Sequence, residues 1–155
     1  MKKLVFVCLP FLALTCFAQS GPVTLTNPPS LAKPKGFSQA AIVDLGTCRM
    51  VIFSGQVSLD SQGNLVGKDD VSKQTEQIFQ NIRGALADLG GTMNDLVKIG
   101  VLMTDVSKVQ QFRTVRDQFV NVQAPPTSTL AQVSKLFRDD VLIEIEATAI
   151  LPKKS

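Results

Sequence analysis

Two carboxylates two residues apart, Glu144 and Glu146, lie in the last apolar stretch of the chain. In a β-strand, residues i and i+2 share a face with Cα atoms about 7 Å apart, close enough for one site to hold both. Such a pair does acid/base work when burial or the neighbouring like charge keeps one member protonated. The same spacing also occurs on ordinary solvated sheet faces, so spacing alone leaves both readings open. Cys48 is a second candidate: Arg49 beside it could lower the thiol pKa, or the thiol could be a small core group. Ser54-Gly55-Gln56 ends an apolar run with a glycine where backbone could approach a ligand, or where a strand simply bends. The phenylalanines Phe37, Phe53, Phe79, Phe112, Phe119 and Phe137 are too sparse for a stacking platform and read as core.

The missing residue types narrow the chemistry further. The 155 residues contain no His, Trp or Tyr. Without imidazole there is no Ser–His or Cys–His nucleophile pair, no histidine-ligated zinc and no side chain with an unperturbed pKa near neutrality. Phosphate-binding glycine loops, Cys-x-x-Cys pairs and metal-ligand clusters are also absent from the sequence. What remains is carboxylates, Lys, Arg, hydroxyls, one thiol and backbone groups.

The elements that must position these groups read as an α+β domain. Ala40 to Leu45 and Cys48 to Phe53 are predicted strands joined at Gly46-Thr47, and Asp60 to Gly63 has the pattern of a type I turn. A helix is predicted over Asp70 to Leu89, with Val71, Thr75, Ile78, Phe79, Ile82, Ala85, Leu86 and Leu89 on one stripe and Gly90-Gly91 at its end. Leu96 to Met103 reads as a buried strand and Ser107 to Val122 as a second helix. Strands over Ser128 to Val133 and Val141 to Leu151 finish the chain. The last alternates, with Ile143, Ile145, Ala147 and Ala149 on one face and Glu144, Glu146 and Thr148 on the other. That order predicts one sheet covered by two helices.

The amino terminus reads as a targeting segment over residues 1–18. Lys2 and Lys3 precede Leu4 to Phe17, a run of 14 residues apolar except for Thr15, and Cys16-Phe17-Ala18 places small residues at −3 and −1. That run is short of the roughly 20 residues needed to span a bilayer. The expected product is exported, periplasmic or secreted, and free of the membrane after cleavage. Removing the segment leaves 14 basic against 13 acidic residues, too balanced for a nucleic-acid partner. Cys48 would then be the sole cysteine, excluding an intrachain disulfide. Residues 19–36, with Pro22, Pro28, Pro29 and Pro34, read as an extended surface lead-in to a domain over 37–152.

Taken together, the motifs resemble those of the Rid (YjgF-type) reactive-intermediate deaminase family. Gly36-Phe37-Ser38-Gln39-Ala40 is similar to its opening G-[YF]-S-Q-A. Ser54-Gly55-Gln56, Asp60 and Gly63-Asn64-Leu65-Val66-Gly67 resemble its S-G-Q…D…G-x-L-V-G block. Gln74-Thr75-x-Gln77-x-Phe79-x-Asn81-Ile82 resembles its first helix, Val97-Lys98 through Thr104-Asp105 its next strand, and Ile143-Glu144-Ile145-Glu146-Ala147 its closing [VI]-E-I-E-A. The resemblance covers about Asn27 to Leu151.

It implies a chorismate-mutase-like fold with one mixed β-sheet, and a homotrimer with small-molecule clefts between subunits. It also implies cofactor-free, metal-free hydrolysis of 2-imino or enamine acids to 2-oxo acids and ammonia. Glu144 falls on the family's water-activating glutamate. The family's carboxylate-binding Arg, in P-x-R-[ST], is replaced: Pro125-Pro126-Thr127-Ser128-Thr129 puts Ser128, or Thr127, in its place. A hydroxyl donates one neutral hydrogen bond and supplies no charge, which forfeits on the order of 1–2 kcal/mol. Arg116, where the second helix usually carries Asn, is a candidate displaced cation or a solvated helix residue. Phe37 replaces the common Tyr. The expected substrate-binding set is Phe37, Ser54, Gly55, Arg116, Thr127, Ser128 and Thr129. Three functions stay in view: a small-molecule binding trimer with weakened deaminase activity, an active imine or enamine deaminase using Glu144, and, with least support, an RNase.

Overall fold

The computed structural model describes residues 21–153, so the targeting segment read over residues 1–18, with Cys8 and Cys16, lies outside the described residues. Eight principal elements follow in chain order: β1 (Val23–Thr26), β2 (Ala40–Asp44), β3 (Cys48–Gln56), α1 (Val71–Asp88), β4 (Leu96–Met103), α2 (Val109–Arg116), β5 (Thr127–Gln132) and β6 (Ile143–Pro152). The six strands form one sheet in the order β1-β2-β3-β6-β4-β5. Only β4 and β5 run parallel, as a crossover through α2 requires, and the sheet is therefore mixed.

Helix α1 starts where Asp70 accepts a hydrogen bond from the Lys73 amide (3.0 Å). It ends where Gly90, at φ +80°, lets the Gly91 amide reach back to the Leu86 carbonyl (2.8 Å), a Schellman closure. Its inward stripe, including Ile78, Phe79, Ile82 and Leu86, is fully buried against Val51, Phe53, Ile99, Val101, Ile143 and Ile145 of the sheet. Phe79 stacks on Phe112 of α2 and on Phe119. Both helices lie on this one face. The other face carries Glu144 and Glu146 and is left open.

Beyond one-residue shifts, four differences from the sequence reading each have a visible reason. The lead-in contains a strand: β1 pairs with β2 at the sheet edge, where flanking prolines are tolerated. The second helix is shorter than Ser107 to Val122. Its start is a 3-10 turn over Val106–Lys108 capped by Asp105. After Arg116 the backbone closes in tight turns (Gln118 to Val115, Phe119 to Arg116) that deliver Phe119 to Phe79. β6 begins at Ile143, because the Leu142 amide is taken by Gln74 Oε1 (2.8 Å) and the Val141 amide by the Arg138 carbonyl. β3 runs on past Phe53 to Gln56 through an irregularity in its pairing with β6.

Candidate active site

That irregularity builds the site. β3 and β6 pair regularly up to Phe53 opposite Ala147, lose register over Ser54-Gly55, and pair again at Gln56 opposite Ile145. A bulge of this kind bends the strand and re-aims its neighbours. Here it brings the Gly55 backbone against the carboxylate of Glu144. A Cβ at Gly55 would collide with Glu144 Oε1 and lie 2.6 Å from its Cδ. Glycine is required here by close approach, not by backbone conformation.

Glu144 is half-buried and stands on the open face with the more exposed Glu146. Burial first, and the Glu146 charge second, push the Glu144 carboxyl above its ordinary pKa. A carboxyl so held exchanges a proton with a bound molecule more readily near neutrality than a solvated one does. The two glutamates thus have unequal environments, as an acid/base pair needs.

The bulge is fastened from behind. The Gln39 side-chain amide donates to the Ala32 carbonyl (2.8 Å), which fixes its Oε1 as an acceptor for Gln56 Nε2 (3.0 Å). Gln56 Nε2 also donates to the Ser54 carbonyl (2.9 Å), and the Ser54 hydroxyl donates to the Ser38 carbonyl (2.7 Å). Asn81 of α1 donates to the carbonyls of Val57 (3.2 Å) and Leu59 (2.8 Å), holding the chain that leaves β3. Gln39, Gln56 and Asn81 are all buried. Buried amides whose donors are used in this way specify one geometry.

Around Glu144 and Gly55 opens a cleft of about 740 Å³. One wall is the strap from Ala32 to Phe37, a second is the bulge, and a third is the turn at Ser61 to Gly63, with Phe137 at the rim. Four residues expected in the site line this cleft: Phe37, Ser54, Gly55 and Glu144. Four do not. Arg116 is on α2, on the helix-covered side of the sheet. Its guanidinium is engaged by Asp117 (2.7 Å) and lies over the Phe112 ring, so within one chain it is a structural cation. Thr127, Ser128 and Thr129 lie on edge strand β5, with β4 between them and β6. Thr127 and Thr129 pair with Lys98 and Gly100 and share the open face with Glu146, whereas Ser128 pairs with Ile99 and faces the helix side. The Thr127 hydroxyl donates to the Val97 carbonyl (2.9 Å). Of the two positions considered for the family's Arg, Thr127 is the one on the glutamate face.

Lys33, Lys35 and Phe137, which also line the cleft, were hidden from the sequence reading by lying in a lead-in and a loop. Phe37 and Phe137 are 55% and 65% exposed, which corrects their reading as core. The polar residues Gln74 and Asn81 on the inward side of α1 did carry a signal, since buried amides need dedicated partners. Cys48 is at the opposite end of β3, across from Pro152. Arg49 points to the other face and donates to the Leu89 carbonyl (3.0 Å), so its guanidinium is engaged away from the thiol. No group of three or more potential metal ligands forms among the described residues.

Comparison with known proteins gives a consistent result. The endoribonuclease L-PSP family profile matches residues 29–151. A RutC family protein of Pyrococcus abyssi is 31% identical over 118 residues, covering 76% of this chain and 88% of that one. The 2-iminobutanoate/2-iminopropanoate deaminase of Salmonella typhimurium is 33% identical over 110 residues, covering 70% and 83%. Among solved structures, RidA of an Antarctic Psychrobacter superimposes with a TM-score of 0.70 at 29% identity, over 83% of this chain and 98% of that one.

Proposed function

The chain belongs to the endoribonuclease L-PSP family, which includes Rid and RutC proteins, and on that premise we propose that it is a small-molecule cleft protein with Glu144 as its acid/base group. The chemistry this carboxyl suits is cofactor-free hydrolysis of an imine or enamine. Glu144 takes a proton from water as the oxygen adds to the C=N carbon and returns it to the nitrogen. It then takes the proton of the new hydroxyl and passes that to the nitrogen as well, so that the C–N bond breaks, ammonia leaves and the carbonyl forms. The observation that carries this reading is the Glu144 carboxyl seated on the Gly55 backbone in a cleft, with its pKa raised by burial.

No arginine lines the cleft among the described residues, and Thr127 replaces the family's anchor. Ordinary 2-imino acid deamination is therefore expected to be weak. A second reading, full deaminase activity, is favoured by Lys33 and Lys35, which line the same cleft and could hold a carboxylate. RNA cleavage has the least support, since the chain has no imidazole and a near-balanced charge.

The protein is further proposed to act as a homotrimer, exported after loss of residues 1–18. Exposed Val23, Leu25 and Ile52, with Ala41, Val43 and Met50 in register between them, give the open face an apolar patch that supports self-association.

The test is to generate 2-iminopropanoate with an amino-acid oxidase and follow its capture by semicarbazide with and without the protein. Weak acceleration abolished by Glu144→Ala supports the acid/base reading, and strong acceleration supports the lysine-anchored deaminase. Acceleration that survives Glu144→Ala refutes the role of Glu144.

A further inference from the structure

The cleft is larger and more aromatic than a three- or four-carbon acid needs. Its volume of about 740 Å³ falls in the range of about 300–1,000 Å³ that encloses drug-sized molecules. Phe37 and Phe137, more than half exposed, both line it. Phe53, Phe79 and Phe112 are buried, and Phe119 is half-buried against Phe79. Within one subunit these two rings stand exposed at one cleft, an apolar surface that can take a guest. The same strap that carries Phe37 carries Lys33 and Lys35 into the cleft. Neither ammonium is paired with a carboxylate of the described residues: the six ion pairs use Lys73, Lys108, Arg116, Lys135, Arg138 and Lys153.

From this combination we propose that the cleft takes a small carboxylate bearing an aromatic ring, its anion held by Lys33 and Lys35 and its ring by Phe37 and Phe137. The proposal rests on the Glu144 cleft being the ligand site and deepens that reading by naming the ligand class. An ammonium is a point charge without the fixed fork of a guanidinium, so it holds a carboxylate with less geometric demand. Ring contact then supplies the selectivity that an arginine would supply through the anion. Small imino acids lack that ring, which accounts for the weak turnover expected of them.

The experiment is calorimetric titration of the mature protein with propanoate, 3-phenylpropanoate and 3-phenylpropanamide. The phenyl acid is expected to bind at least 10-fold more tightly than propanoate, and the neutral amide at least 5-fold more weakly than the phenyl acid. Phe137→Ala, a substitution at an exposed residue, should cut the phenyl preference several-fold. Lys33→Ala with Lys35→Ala should remove the preference for acid over amide. Equal binding of the two acids, no measurable binding of either, or a preference untouched by Phe137→Ala overturns the proposal. So does a change of oligomeric state in Phe137→Ala, which would show that a second copy covers the rings. Because the readout is binding, it separates from the hydrolase reading. A phenyl preference with no imine hydrolysis leaves this inference standing, and hydrolysis without the preference defeats it alone.

Discussion

Gly55→Ala is the sharpest perturbation of the site, because the substitution adds one carbon where the structure has no room. The new Cβ would collide with Glu144 Oε1 and sit 2.6 Å from Cδ and 3.0 Å from Cγ. Carbon–carbon contacts settle near 3.5–4.0 Å, so the carboxyl carbon must retreat by about 1 Å. The displaced atoms are the far end of a flexible side chain, which can twist about 30° off its rotamer at a cost of about 0.5–1.5 kcal/mol. Melting should therefore fall by only a few °C. The site should suffer more: a 1 Å misplacement costs about 100-fold in a positioned reaction. The assay is a carbon-13 titration of the glutamate side-chain carboxyls, with Glu144→Gln identifying the resonance. In the unsubstituted protein Glu144 should titrate above the ordinary glutamate value, and Gly55→Ala should bring it back toward that value as the group swings into water. A Glu144 that titrates normally in the parent, or identically in both proteins, refutes the reasoning.

Three other outcomes follow from the same contacts. In the native state Glu144 keeps a proton that the unfolded chain has already lost, so its contribution to stability falls as pH rises from the ordinary carboxylate value through its raised one. Glu144→Gln should thus melt higher than the parent at pH 7 and lose that gain below the ordinary carboxylate range, read by thermal melts across pH. Gln39→Leu strips the acceptor from Gln56 and the donor from the Ala32 carbonyl, and should cost about 1–3 kcal/mol in urea unfolding. Thr127→Arg places a guanidinium on the glutamate face whereas Ser128→Arg places it on the helix side, so the semicarbazide assay should show a gain for the first and none for the second.

Much of the fold was legible in the sequence because its periodicities are clean. β4 occupies Leu96–Met103, as its apolar run bounded by turn residues predicts, and α1 differs from its predicted span by one residue at each end. Where the reading failed, side chains had taken over backbone partners. Gln74 claims the Leu142 amide and delays β6, and Asp105 turns the start of the second helix into a 3-10 turn. β1 is invisible to a reading that treats proline as a strand breaker, because an edge strand with prolines outside its ladder escapes that rule.

The site was legible in part. Glu144 and Gly55 were named by motif, and their contact depends on a bulge that no spacing reveals. Arg116 read as a possible ligand because its sequence position is suggestive, yet Asp117 and Phe112 already satisfy it. Lys33, Lys35 and Phe137 were missed because strap and loop residues meet the cleft only through tertiary folding. Phe37 was named through its motif, whereas Phe137 is indistinguishable in sequence from the buried rings.

The most direct test of the central claim is a crystal structure of the protein with 3-phenylpropanoate bound. The account predicts the ligand beside the Glu144 carboxyl and the Gly55 backbone, with lysine ammonium groups and no guanidinium on its carboxylate. A guanidinium from any protomer on that carboxylate, or a ligand seated away from Glu144, contradicts it.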